Sequence, residues 1–412
     1  MLRLRKLMYG IMISILFIAV FWGASAQALE GKAGEVIRTV EDLKELEAKG
    51  LLSRGQVLAY TEIVKVLGRP IPITGKTDCS PETINSINYL KVTQMNKGKA
   101  KIGTKDELLN YAGLGLPFPG ITKDDPQAGI KIAWNYEYKH EGDDREGVWT
   151  YWLTDDKKNV KTLEGNVKRL SFFGRTDLDP RPNISGEAGV RSKEVITFTA
   201  PFASKGMAQL SVKYVDPQRD KGLWVFVPGL RRNVRIGGGN RCDCLGGFVH
   251  NMDDQTTWDG NPLLFSWKSL GLKEMLIPTV MPSEKGFPYV PKAYVIPITL
   301  ERRPLWVIEQ TPKDPGYCYS KRIFLVDPET WWFFNSDCYD RSGKIWKIVH
   351  QYYCLVPNPK SAGGGYAVYT NAGSVVDFKI GEAGPYVIEN VKINTGKDVM
   401  AFTLDAMRRS GR

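Results

Sequence analysis

Residues 223–280 read LWVFVPGLRRNVRIGGGNRCDCLGGFVHNMDDQTTWDGNPLLFSWKSLGLKEMLIPTV. The first five residues form a dense apolar strand, Pro228-Gly229 supplies a turn, and the returning strand carries Arg231, Arg232 and Arg235. Asp253-Asp254, Trp258, Gly260, Ser266-Trp267-Lys268 and Lys273-Glu274 follow in that order. The pattern is that of a β-meander. No recognisable catalytic constellation accompanies it, so the stretch points to a binding or transport role rather than to a reaction.

The same alternation of short β-rich runs and turns extends outward from about residue 129. Strands are expected at 131–138, 147–153, 169–173, 194–198, 209–215, 223–227, 233–236, 305–310, 317–326, 331–338 and 344–353. Asp216-Pro217, Asp327-Pro328 and Asp340-Arg341-Ser342-Gly343 punctuate them. Helical signals are concentrated earlier. Thr39 with Asp42 reads as a capping box, 56–67 carries apolar residues at helical spacing, Ser80-Pro81-Glu82 opens a third helix, and 104–111 is a short fourth. These runs predict a mainly β fold, a curved antiparallel sheet or open half-barrel enclosing helices, with a helical N-terminal segment. The expected divisions are a signal peptide (1–28), the helical segment (29–112) and the β half-barrel (113–412). The tail beyond Gly363-Gly364-Gly365 is weakly patterned.

Several strands are apolar on both faces. Leu223, Val225 and Val227 point one way and Trp224 and Phe226 the other, and Trp331-Trp332-Phe333-Phe334 behaves alike. An antiparallel sheet with one wet face would alternate apolar and polar residues. Both faces must therefore be covered, by helices, by a second layer, or by an apolar ligand in a concave sheet. Trp224, Phe226, Trp306, Ile308, Trp332 and Phe334 are the candidate ligand-lining residues, chosen by strand position and size. Core packing is the commoner role for any one of them.

Arg3, Arg5 and Lys6, an apolar run over 7–22, and small residues at Ala24, Ala26 and Ala28 read as a cleavable secretory signal. The run is shorter than the roughly 18 residues of a spanning helix. With no cysteine near the cleavage site, the expected product is an exported, periplasmic protein that is not a lipoprotein. The formal charge of +11 falls to +8 once the three basic residues of the signal are removed. That charge is dispersed, which permits peripheral contact with anionic head groups and argues against nucleic acid as a partner.

Six cysteines in an oxidising compartment allow 15 pairings. Folding the 317–338 hairpin about residue 328 sets Cys318 opposite Cys338, the one disulfide that can be argued. Cys242-Asp243-Cys244 is the sharpest chemical feature. It reads either as a strained disulfide or thiol pair, or as two cysteines each bonded to a distant partner such as Cys79 or Cys354. The three histidines are far apart and no metal-binding motif is present, so neither metal nor cofactor is expected. Asp253-Asp254 suits salt bridging, to Arg231, Arg232 or Arg235, better than paired acid–base chemistry, because neighbours on a strand face opposite ways.

Residues 115–120 (GLPFPG), Trp134-Asn135, the 224–235 hairpin, Asp253-Asp254, Trp258-Asp259-Gly260 and Trp267-Lys268 through Lys273-Glu274 form an ordered series. Tyr319-Ser320-Lys321-Arg322, Asp327, Trp331, Tyr339-Asp340 and Trp346 continue it. Over about 114–353 the series resembles an exported Gram-negative family, a domain of unknown function grouped with the LolA/LolB-like lipoprotein-sorting fold. The resemblance implies a half-barrel wrapping a helical plug, with a concavity able to hold acyl chains or other apolar molecules. It also implies association with resistance-nodulation-division transporters and outer-membrane β-proteins. It brings no catalytic residues, and Cys242 and Cys244 depart from its pattern. The reading is a non-enzymatic periplasmic carrier of a lipid-like ligand. An adaptor docking on an envelope transporter comes next, and an exported thiol-redox protein using Cys242 and Cys244 last.

Overall fold

The computed structural model describes residues 28–237, 241–244, 248–282, 293–361 and 363–410. The expected signal, apart from Ala28, lies outside the described residues. Short strands β1 (Val36–Ile37), β2 (Ile71–Thr74), β3 (Lys101–Ile102) and β4 (Leu108–Leu109) precede β5 (Asp144–Thr154), β6 (Val160–Ser171), β7 (Val190–Ala200), β8 (Ala208–Tyr214), β9 (Gly222–Val227) and β10 (Arg232–Ile236). They are followed by β11 (Phe265–Pro278), β12 (Met281–Pro282), β13 (Leu300–Pro312), β14 (Lys321–Val326), β15 (Phe333–Tyr339), β16 (Ile345–Pro357), β17 (Tyr366–Asp377) and β18 (Glu382–Ile393). One large sheet runs β1-β2-β13-β14-β15-β16-β17-β18-β5-β6-β7-β8-β9-β10, with β11 on the other side of β13. Its ends, β1 and β10, do not pair. The result is the mainly β, curved and unclosed sheet that the sequence predicts.

The sheet's two faces carry different covers. On the outer face lie helices Val40–Ala48 and Arg54–Thr61, their entries fixed by capping boxes at Thr39/Asp42 and Ser53/Gln56. Their Leu43, Leu46, Val57 and Tyr60 pack with Trp152, Ile348, Tyr352 and Val376. Farther along the same face, Phe402 and Met407 of the C-terminal segment cover Leu170, Val195, Leu210 and Phe226. Each of these two fully buried side chains contributes about 1.5–3 kcal/mol, which makes the tail part of the fold. The inner face carries helix Ala128–Tyr138 and the segment containing Val249 and Trp258.

That helix replaces the strand expected at 131–138. Ile132, Trp134, Tyr136 and Tyr138 alternate as in a strand. Yet Ile130, Ala133 and Trp134 meet Phe118, while Ala128, Ile132 and Tyr136 meet the central core. A helix buried on several sides is apolar all round and so loses the periodicity that would reveal it. The helix expected at 104–111 is a tight β3–β4 hairpin, because Asp106 (φ 67°) and Asn110 (φ 55°) take left-handed backbone. The tail holds two of the longest strands, β17 and β18. Burial of nearly all of β17 erases its alternation.

Residues 223–280 are not a continuous meander. The β9–β10 hairpin forms as expected, with Val225 opposite Val234, and ends the sheet as an edge. The chain then dives across the inner face and re-emerges as β11, paired with β13. Buried charge holds this crossing. Arg322 Nη2 on β14 donates to Asp254 Oδ1 (2.7 Å), Tyr319 donates its hydroxyl to Asp254 Oδ2 (2.9 Å), and Tyr317 donates to Asp253 Oδ2 (3.0 Å). Arg241 Nη1 lies 3.1 Å from Asp253 Oδ1. The aspartates thus pair with Arg241 and Arg322; Arg231, Arg232 and Arg235 stay exposed on the edge hairpin.

The expected Cys318–Cys338 disulfide is overturned: Cys242 bonds Cys318, with Cα atoms 5.8 Å apart, and Cys338 is a buried free thiol. Pairing of Arg322 with Cys338 and Val326 with Phe333 shows why. The connection spans Asp327 to Trp332, turns through Trp331 (φ 60°) and centres the hairpin near residue 330 rather than 328. Cys318 then precedes the strand and faces the crossing segment.

Removing either partner of the Arg322–Asp254 pair strands a buried charge, and Arg322→Ala or Asp254→Ala is expected to cost about 3–5 kcal/mol in urea unfolding. The apolar double variant Arg322→Met/Asp254→Leu should cost less than either single change. A loss under about 1 kcal/mol in the single variants would show that the pair does not hold the crossing. Non-reducing peptide mapping should return Cys242 linked to Cys318, with Cys338 alkylatable only after unfolding; a Cys318–Cys338 peptide would refute this register.

Candidate functional site: an aromatic cavity on the inner face

The inner face of β5–β8 and β16–β18 is left partly uncovered. Trp149 and Tyr151 on β5, Ile196 on β7, Tyr386 and Ile388 on β18, and Phe248 from the crossing segment line a cavity of about 110 Å³ there. Register explains the convergence: Tyr151 pairs with Tyr386, Trp149 with Ile388, and Ile196 with Gln209, which also lines the cavity. Glycines let the rings lie down. A Cβ on Gly165, the cross-strand neighbour of Trp149, would stand 2.5 Å from that indole, and one on Gly373 would stand 2.8 Å from the Tyr386 ring. The rings rest on backbone that only glycine leaves bare.

Polar groups sit at the margin. Tyr151 Oη accepts the Val249 N–H (2.8 Å), and the Tyr386 hydroxyl donates to Gln351 Oε1 (2.5 Å). His250 packs on Phe248, ring centroids 4.7 Å apart, and its Nδ1 has no hydrogen-bond partner in the protein. Burial holds its pKa down to about 4, so the imidazole is neutral at physiological pH. The wall is therefore mostly apolar, with Glu194 and Asp254 the charged side chains among its lining.

Lower on the same strands the inner face turns ionic: Arg145 (β5), Arg169 (β6), Glu194 (β7) and Lys213 (β8) line a neighbouring cavity.

The six residues expected to line a ligand fall elsewhere. Trp306, Ile308, Trp332 and Phe334 come together in the central core, where Phe334 meets Tyr353 with ring centroids 4.7 Å apart. Trp224 and Phe226 are on the outer face beneath Phe402 and Met407. None of the six lines the aromatic cavity. Its lining carries one legible signal: Trp149 and Tyr151 are a same-face apolar pair within one expected strand, and Ile196 lies in another. Phe248 had none, because only the tertiary path of the crossing brings it inward.

The thiols of Cys242-Asp243-Cys244 do not pair with each other. Cys242 is bonded to Cys318, and Cys244 Sγ lies 3.2 Å from the Val249 carbonyl and 3.8 Å from Lys347 Nζ. Burial pushes the Cys79 and Cys338 thiols up to about 12, far from nucleophilic reactivity. Among the described residues, no group of three or more His, Cys, Asp or Glu side chains is arranged to hold a metal ion. Nor is any described helix long and apolar enough to cross a membrane.

The sequence profile described as a protein of unknown function, DUF1329, matches residues 75–409. The chain belongs to the DUF1329 family. A Pseudomonas aeruginosa relative, itself uncharacterised, is 27% identical over 330 residues, covering 74% of this chain and 67% of its own. Two crystal structures share the fold, each with TM-score 0.50, covering 69% of this chain and 99% of theirs. One is a Vibrio parahaemolyticus domain described as an outer membrane lipoprotein-sorting protein (16% identical), and the other a DUF1329 protein from Desulfovibrio piger (14%). The fold seen here is thus the one shared by these two proteins, a DUF1329 protein and a domain named for lipoprotein sorting, in keeping with the family that the resemblance implies.

If His250 is neutral in the folded protein, the unfolded chain alone takes up its proton between pH about 6.5 and 4, and stability falls as pH drops through that window. The His250→Phe variant lacks this loss. Its stability relative to wild type should improve by about 2 kcal/mol between pH 7 and pH 5 in urea titrations. A pH-independent difference would mean that His250 titrates alike in both states.

Proposed function

We propose that this protein is a periplasmic carrier that takes an apolar, lipid-like molecule into the aromatic cavity and passes it between inner- and outer-membrane partners. The observation that carries the reading is the cavity: aromatic and aliphatic side chains on the inner face of an unclosed sheet, uncovered by the helices that fill the rest. The name borne by the Vibrio domain of the same fold, outer membrane lipoprotein sorting, supports a task in which acyl chains are handled. A resistance-nodulation-division transporter and an outer-membrane β-protein are the partners we assign to the two ends of the route.

Magnitudes favour exchange over storage. A ligand segment burying on the order of 200 Å² gains about 5 kcal/mol at 25 cal/mol per Å². Before association costs, that alone corresponds to sub-millimolar affinity, weak enough for hand-over.

Native mass spectrometry of the mature protein from its own periplasm should show a discrete adduct in the lipid mass range. Ile196→Trp places an indole in the cavity and is expected to weaken binding of the neutral probe N-phenyl-1-naphthylamine at least tenfold while the protein stays folded. A clean apo mass together with no probe binding by wild type would reject the carrier. The adaptor, docking through the exposed edge hairpin with Arg231, Arg232 and Arg235, would then stand first.

A further inference from the structure

The ionic cavity next to the aromatic one is unbalanced in charge. Its lining holds six cations (Lys139, Arg145, Arg169, Arg191, Lys213 and Lys221) against four carboxylates (Glu137, Glu141, Glu194 and Asp259). Every carboxylate is engaged and three are shared. Glu137 meets Arg191 (2.7 Å) and Lys213 (3.1 Å), and Asp259 meets Lys213 (2.8 Å) and Lys221 (2.6 Å). Glu141 meets Lys139 (2.7 Å), Arg145 and, at 3.4 Å, Arg169, while Glu194 meets Arg145 (3.1 Å). Arg169 therefore has only the longest contact to a carboxylate that two other cations already hold. Its neighbours Arg145 and Arg191 oppose its charge, and burial with that repulsion lowers its pKa from the usual arginine value.

Two buried donors add to the excess. Arg145 Nε and Trp258 Nε1 find no hydrogen-bond acceptor in the protein, and both residues line this cavity. Arg145 is 5% exposed and Trp258 is fully buried. Surplus positive charge and unanswered donors away from water are costly unless an anion meets them. The space, about 60 Å³, suits a group of phosphate or carboxylate size. It also adjoins the aromatic cavity, for Glu194, Gln255 and Thr256 line both. At that junction Thr256 (φ 48°) and Thr257 (φ 74°) hold left-handed backbone, and the Tyr136 hydroxyl donates to the Thr256 carbonyl (2.8 Å). Strain of this kind persists where packing over-determines it. Here it fixes Thr256 at the boundary that the two cavities share.

We propose that the ligand is an anionic amphiphile, its phosphate or carboxylate seated among Arg145, Arg169, Arg191 and Lys213 and its apolar part in the aromatic cavity. The inference rests on the carrier reading above and adds the chemistry of the head group. The guanidinium forks of the three arginines suit the oxygens of such an anion, and Arg169 is the one with most unspent capacity.

The test uses three probes with the same tail: hexadecyl phosphate, hexadecanoate and hexadecanol, titrated by calorimetry into the delipidated full-length mature protein. Both anions should bind at least tenfold more tightly than the alcohol. Arg169→Gln should remove most of that advantage and leave hexadecanol binding unchanged; if it does not fold, Lys213→Gln, on the more exposed rim, serves in its place. Equal affinities for anion and alcohol, or an anion advantage untouched by the variant, would overturn the head-group site while leaving the carrier intact. Methyl phosphate or inorganic phosphate binding as tightly as hexadecyl phosphate would make the site one for a free anion and overturn the amphiphile. If none of the probes binds, both readings fall.

Discussion

A strand sends alternate side chains to opposite faces, and in this chain several strands, β16 and β17 above all, are buried on both. No sheet of that kind is stable with one face in water, so the architecture follows from the need to cover it twice. The outer cover is assembled from the two ends of the described chain. The capped N-terminal helices lie over β16–β18 and β5, and the C-terminal segment lies over β6–β9. The inner cover comes from the middle, as helix Ala128–Tyr138 and the crossing segment. Because the inner cover is shorter than the sheet it must protect, a stretch of β5–β8 and β16–β18 is left over. The candidate binding site is that remainder.

The crossing segment is where covering and function meet. Its described residues form no long helix or strand, and buried polar ties hold it instead: Asp254 to Arg322, Asp253 to Arg241, and the disulfide from Cys242 to Cys318. A disulfide closing a 76-residue separation restrains the unfolded chain far more than a local one. Thus fixed, the segment places Phe248 and His250 in the aromatic wall and Gln255 and Thr256 at the boundary with the ionic cavity. One face of one sheet then presents apolar surface at one end of its strands and surplus positive charge at the other.

Legibility followed the strength of local signals. Thr39/Asp42 announced a helix because a capping box is a contact between residues three apart, and the structure contains it. The β9–β10 hairpin was legible for the same reason. The helix at Ala128–Tyr138 reads as a strand because near-complete burial makes strand and helix periodicities coincide over seven residues. β17 and β18 are not legible because glycine, proline and buried polar residues mask their alternation. The turn adopted at Asp327–Trp332 sets the hairpin centre two residues beyond the one expected, which puts Arg322 rather than Cys318 opposite Cys338.

By itself, the sequence determined what a strand pattern, a cap or a turn can encode within a few residues: a mainly β chain, a helical beginning and a sheet apolar on both sides. The family signature also stood in the order of its motifs. Only the tertiary structure decided which apolar residues became core and which became cavity wall. Trp306 and Trp332 read no differently from Trp149 and Tyr151 along the chain, because all are large and apolar on β strands. The distinction depends on what crosses above each one, and that is a contact between segments a hundred or more residues apart. The charge imbalance behind the aromatic wall is of the same kind, since no single strand carries it and it exists only where the end of helix Ala128–Tyr138, strands β5–β8, Lys221 and the crossing segment meet.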